Sequence, residues 1–132
     1  MSFLNPFSNK NSGDISYKEK KTFEERKKEA DYILNKYNDR LPIICERVKN
    51  SPSVPALDKI KFLVPKDLTI GQFIHVVRKR INLSPTTAIF IYCNNIIPSS
   101  TSMMVTVYKE CKDEDGFLYL NFNGEDTFGG DA

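Results

Sequence analysis

At 132 residues the chain has room for one domain with a modest core, and 40% hydrophobic with 27% charged residues excludes disorder throughout. A formal net charge of +2 is too small to point to nucleic acid. No apolar run approaches the ~18–20 residues of a membrane span. The start "MSFLNPFSNKNSG" lacks a signal-peptide core and Ser2 rules out an N-terminal myristoyl group, so membrane association is expected to require attachment or recruitment.

In chain order, residues 1–21 are polar and read as a flexible tail whose apolar features are Phe3, Leu4 and Phe7. The charge is uneven: residues 1–50 hold 11 basic against 8 acidic side chains, much of the excess in "YKEKKTFEERKK". Such a run reads as a solvated helix start or as a patch for acidic partners or lipid headgroups. Thr22-Phe23-Glu24-Glu25 fits a capping box, and Phe23, Ala30, Ile33, Leu34 and Tyr37 then recur at helical spacing. This predicts an amphipathic helical segment over 22–39.

"RLPIICERV" follows as a strand, with Pro42 near its start where an edge tolerates a missing amide. After the "NSPSVP" loop, "DKIKFLVP" reads as a second strand. Ile60, Phe62 and Val64 share one face, Lys61 and Leu63 the other. A second capping box, Thr69-x-x-Gln72, opens a helix with Ile70, Phe73, Ile74, Val77 and Ile81 as its stripe. The apolar run "AIFIYC" reads as a central, doubly covered strand. "MMVTVYKECK" mixes a β-branched centre with a helical stripe and is read as a helix. "FLYLNF" is the last strand, and 124–132 a flexible tail. The order describes an α+β fold, a ubiquitin-like β-grasp roll over 22–123 with an N-terminal helical extension packed on the sheet.

Enzyme chemistry finds no foothold. Cys45, Cys93 and Cys111 are widely spaced with no C-x-x-C pair, and His75 is the lone histidine, which argues against zinc and for free thiols. "DEDG" lacks the spacing of a calcium loop, and no Gly-rich phosphate cradle is present. The chain therefore reads as a non-enzyme with no cofactor or metal. "IKFLV" is a different matter: a charged edge strand either guards against aggregation or accepts an extended peptide. The terminal "TFGGDA" carries a Gly pair with nothing to pack.

"RLPIICE", "LDKIKFLVPKDLTIGQF", "VVRKRINL", "AIFIYCNN", "DEDGFLYL" and "GEDTFG" resemble, in order, blocks of the autophagy ubiquitin-like modifiers of the autophagy-related protein 8, GABARAP and light-chain-3 type. The resemblance runs from about Phe23 to Gly129. It implies cleavage between Gly129 and Gly130 by a cysteine protease, with Gly130 as the alternative end. It further implies transfer by activating and conjugating enzymes, and an amide bond to phosphatidylethanolamine at autophagosome and vesicle membranes. Phe90, Tyr92 and Phe128 are the implied contacts with the processing enzymes. Cargo receptors carrying an aromatic-x-x-aliphatic motif are implied to add a strand to the sheet edge. The aromatic would sit among Glu29, Ile33, Pro42, Ile44, Lys61, Leu63 and Phe117, and the aliphatic among Phe62, Val64, Pro65, Leu68, Phe73 and Val76. Arg40, Lys59 and Arg78 would form a basic rim. Ile60 departs from the family, which commonly has a basic residue there. The chain is expected to be monomeric and cytoplasmic until lipidated. Rival readings are a tag joined to protein lysines and an unconjugated trafficking or microtubule adaptor.

Overall fold

Three Ser/Thr-x-x-Glu/Gln patterns start three helices in the computed structural model, which describes residues 15–49 and 53–124. Ser16, Thr22 and Thr69 each accept a hydrogen bond from the backbone N–H three residues on, and Glu19, Glu25 and Gln72 each reach back to the cap N–H. They open α1 (Tyr17–Lys20), α2 (Phe23–Lys36) and α3 (Ile70–Arg80). α4 (Met104–Cys111) has no such cap, and Met104, Val107 and Tyr108 bury its inner face. The helical reading of "MMVTVYKECK" holds.

The strands are β1 (Arg40–Arg47), β2 (Lys61–Pro65), β3 (Phe90–Tyr92) and β4 (Leu118–Asn123), in sheet order β2-β1-β4-β3. β2 and β1 are antiparallel, β1 and β4 parallel, β3 and β4 antiparallel. This is the mixed sheet of the ubiquitin-like α+β roll. Two expectations change. β1 is central rather than an edge, and Pro42 survives there because pairing with β4 begins only at Ile43. Cys45 N–H donates to Ile60 O, so Ile43 and Leu41 also bond toward β2, and the nitrogen of Pro42 points to the side still lacking a neighbour. β3 is not central either. It is a three-residue edge strand whose Ile91 and Tyr92 are nevertheless buried. After it, Asn94 (φ 53°) and Asn95 (φ 64°) make a left-handed two-residue turn closed by Cys93 and Ile96, a geometry that asparagine tolerates.

Period-two alternation splits the apolar residues into two clusters, one on each face of the sheet. Leu41, Ile43, Cys45, Phe62 and Val64 point into the main core with α3, α4 and the inner residues of β3 and β4. Ile44, Tyr17, Ala30, Ile33 and Phe117 form a second cluster under the N-terminal helices, with Ile60, Leu63 and Tyr119 packed against it. Of the stripe expected on α2, only Ala30 and Ile33 are buried; Leu34 is half-buried, and Phe23 and Tyr37 lie exposed at the ends. The tail expected over 1–21 also needs correction, since it ends in α1, with Tyr17 3% exposed. The sequence carried the signal: Ser16-x-x-Glu19 is a third capping box.

α2 is fastened by a polar anchor. Asp115 is fully buried and accepts from Arg26 Nη1 at 2.7 Å, Tyr119 OH at 2.5 Å and the Phe117 N–H at 2.8 Å. Gly116 (φ 98°) brings this turn against α2 so closely that a Cβ would stand 2.9 Å from that of Ala30. Removing one member of a buried, hydrogen-bonded ion pair strands the other. Asp115→Ala is expected to lower stability by about 3 kcal/mol or more, measured by urea unfolding, whereas Asp31→Ala on the exposed face should shift it little.

Candidate functional site

β2 leaves one side of the sheet open. Because Phe62 and Val64 bond to β1, the backbone groups of Lys61 and Leu63 point the other way, to a side where no strand pairs among the described residues. Arg40 Nη1 reaches round to the Leu63 carbonyl at 3.4 Å. The edge is therefore a row of main-chain donors and acceptors suited to strand addition.

Beside it lies the second cluster, which holds four of the seven residues expected around an aromatic, Ile33, Ile44, Leu63 and Phe117, with Pro42 paired to Leu63 across the strands. Ile33, Pro42, Ile44 and Phe117 are buried, Leu63 is half-buried, and Glu29 and Lys61 form an ion pair at 2.6 Å. The structure adds Tyr17. Its ring packs edge-on against Phe117 with centroids 5.6 Å apart, its hydroxyl donates to Glu29 Oε1, and Lys61 Nζ lies 5.0 Å from its ring centre. The expected aliphatic site is different in character. Phe62, Val64 and Phe73 are fully buried in the main core, so its surface falls to Pro65, Leu68 and Val76.

The family whose model carries the description "Autophagy protein Atg8 ubiquitin like" matches residues 25–129. The chain belongs to the Atg8 family. It is 53% identical over 113 residues to autophagy-related protein 8 of Cochliobolus heterostrophus, covering 86% of this chain and 94% of that one. Autophagy-related protein 8 of Colletotrichum lindemuthianum is 53% identical over 114 residues, 86% and 93% of the two chains. The crystal structure of Trypanosoma brucei ATG8 superposes with a TM-score of 0.80 at 48% identity, covering 91% of this chain and all of that one.

In this Atg8-family chain the residues expected as a basic rim divide. Arg40 stands at the β2 edge through its contact with Leu63, and Lys59 is half-buried two residues before β2. Arg78 is drawn elsewhere, its Nη1 donating to Thr87 O at 2.6 Å and Ser84 O at 3.2 Å, which ties down the loop after α3. Of the residues expected to meet processing enzymes, Tyr92 is 2% exposed, so an outer contact on β3 falls to half-buried Phe90. Phe128, Gly129 and Gly130 lie outside the described residues. Where β4 ends, Asn123 Oδ1 accepts from Gly124 N–H at 2.8 Å and pairs with Ser53 Oγ at 3.2 Å. A Cβ on Gly124 would come within 2.8 Å of that Ser53 oxygen and 2.9 Å of a Val54 methyl, so a larger residue there would require those side chains to move.

The Cys45 and Cys93 thiols are poor nucleophiles. Burial pushes the Cys45 thiol up, and burial together with the Cys111 thiol pushes Cys93 up to about 12. Neither is a thiolate at neutral pH. No group of three His, Cys, Asp or Glu able to hold a metal ion occurs among the described residues, and no described helix is long and apolar enough to cross a membrane.

α1 is held electrostatically. Tyr17 N–H donates to Glu46 Oε2 at 2.7 Å and Lys18 Nζ meets Asp113 Oδ1 at 2.6 Å. Burial raises Asp113, but hydrogen bonds from Lys18 and the Asp115 N–H, with the nearby cations, outweigh it and hold the carboxyl below its ordinary value of 3.8. A depressed carboxylate stabilises the fold above its ordinary value and loses that contribution as pH falls through the folded-state value. Lys18→Ala is expected to narrow the stability difference between about pH 7 and about pH 2 by ~0.5 kcal/mol, a value kept small by the exposure of Lys18. Urea unfolding at the two pH values checks it.

Proposed function

We propose that this Atg8-family chain is a ubiquitin-like modifier joined through Gly129 to phosphatidylethanolamine, and that it recruits cargo receptors by adding their aromatic-x-x-aliphatic segments to the edge of β2. The observation that carries the docking half is the open side of β2, with the backbone of Lys61 and Leu63 facing out beside the Tyr17–Ile33–Phe117 cluster. An extended peptide gains main-chain bonds from that edge and side-chain selectivity from the cluster and from Pro65, Leu68 and Val76. Arg40 and Lys59 favour acidic residues beside the motif, which speeds encounter more than it deepens affinity.

The conjugation half is supported by the family match, which reaches Gly129. The chain acts here as the substrate of a cysteine protease and of activating and conjugating enzymes, not as an enzyme. A Gly-Gly segment threads a narrow catalytic channel that Cβ atoms would obstruct. The protein is cytoplasmic before lipidation and resides on autophagosomal and vesicle membranes after it. It requires no cofactor, and the lipid is its covalent attachment.

The two halves separate by substitution. Gly129→Ala is expected to abolish the lipid conjugate while leaving peptide affinity unchanged. Leu63→Ala should weaken binding of a synthetic Trp-x-x-Leu peptide ~10-fold, about 1.4 kcal/mol, while conjugation proceeds. Intact mass of the membrane-bound form reads the first: a chain ending at Gly129 plus one phosphatidylethanolamine supports the proposal, whereas a protein joined through a lysine supports the tag reading instead. Fluorescence anisotropy reads the second.

A further inference from the structure

Tyr17 is fixed at three points. Its N–H is bound by Glu46 Oε2 at 2.7 Å, its ring lies against the fully buried Phe117, and its hydroxyl donates to Glu29. The Ser16–Glu19 capping box secures the turn that carries it. Lys61, by contrast, is a long side chain whose ammonium could swing outward, yet its residue is only 8% exposed. The ammonium lies 2.6 Å from Glu29 Oε2 and 5.0 Å from the centre of the Tyr17 ring. One oxygen of Glu29 thus receives the phenol and the other receives the ammonium, while the ring face supplies a second attraction for the same cation.

We infer that Tyr17 is a positioning residue of the aromatic pocket: it fixes the Glu29 carboxylate and through it draws the Lys61 charge inward, so that the pocket wall is neutral toward an incoming peptide. The inference rests on the docking reading proposed above. Glu29 and Lys61 stand on different elements, α2 and β2, and an exposed pair of that kind is worth little because its side chains are free to part. Here a third residue, from α1, holds the carboxylate in place. The consequence is a specificity effect. While Lys61 is turned toward Glu29, acidic residues preceding the motif gain little from it. Once the phenol is gone, Glu29 loses a fixed donor, Lys61 is less firmly held, and its charge becomes available to the peptide.

The test uses the full chain and two synthetic peptides, Trp-x-x-Leu preceded either by three Asp or by three Ser, with affinities read by fluorescence anisotropy and folding checked by thermal melting. Tyr17→Phe keeps the ring and removes the hydroxyl. It is expected to raise the ratio of acidic-peptide to neutral-peptide affinity about threefold, with the neutral peptide weakened no more than about twofold. Glu29→Gln should raise the ratio at least as far, and the double variant no further than Glu29→Gln alone, because residues acting through one network are not additive. Tyr17→Ala additionally removes the support beneath Phe117 and should weaken both peptides. A ratio unmoved by Tyr17→Phe, or the two substitutions acting additively, overturns the inference while leaving the docking reading intact. If the wild-type chain binds neither peptide, the docking reading falls and this inference with it.

Discussion

The placement of α2 depends on one buried carboxylate. α2 runs for 14 residues yet buries only Ala30 and Ile33, and fully burying one large aliphatic side chain contributes roughly 1.5–3 kcal/mol. That is thin support for a helix lying across a sheet. Asp115 supplies direction instead, binding Arg26 from α2, Tyr119 from β4 and the backbone of Phe117. Buried ion pairs add little net stability over apolar packing. What this one provides is a fixed point of attachment: the Phe117 N–H and Tyr119 hydroxyl hold the carboxylate locally, and Arg26 ties α2 to it. Gly116 completes the constraint by allowing the turn to approach Ala30. Phe117, two residues beyond Asp115, is thereby placed under Tyr17 and against Ile33, and the aromatic cluster takes its shape from that position.

The sheet then serves two masters without conflict. In β1, Leu41, Ile43 and Cys45 face the main core while Ile44 faces the second cluster; in β2, Phe62 and Val64 face the core while Lys61 and Leu63 face α1 and α2. Each strand is locked on one face by close packing with α3 and α4. The other face carries a smaller cluster with a polar margin. Fold stability and surface chemistry therefore reside on alternate residues of the same strands. An edge strand normally risks uncontrolled pairing. β2 limits that risk by being five residues long, ending in Pro65, and having Arg40 at its Leu63 carbonyl.

Much of this was legible in the sequence, and the parts that were not share a cause. Capping boxes at Thr22 and Thr69 and the alternation in "IKFLV" are local signals, and each corresponds to what the chain does. Strand order is not local. "AIFIYC" is apolar because Ile89, Ile91, Tyr92 and Cys93 are buried, yet an edge strand covered by helices looks the same as a central one. Pro42 marks an edge that exists for only part of β1, a property of where β4 happens to join. Tyr17 escaped for a different reason. Its capping box was present, but a four-residue helix has too few positions to show an apolar period, and its partners Glu29, Lys61 and Phe117 are distant in sequence. Of the residues assigned by resemblance, Ile33, Ile44, Leu63 and Phe117 lie in one cluster with the Glu29–Lys61 pair beside them, whereas Phe62, Val64 and Phe73 are buried in the main core.

The strand order also bears on how the proposed docking edge and the proposed lipid attachment would share one small domain. β4 leads toward Gly129, and β1 separates β4 from β2. Adjacent strands lie about 4.8 Å apart, so the open edge of β2 and the strand β4 are separated by roughly 10 Å across the sheet. The chain leaves β4 at Gly124, against Ser53 and Val54. That exit lies beyond Asn123, which pairs with Phe90 of β3, one strand in from the edge opposite β2. A peptide added to β2 as proposed would lengthen the sheet on the side away from β4. In the proposed reading the docking edge and the strand that leads toward the lipid attachment are therefore different strands, β2 and β4, with β1 between them.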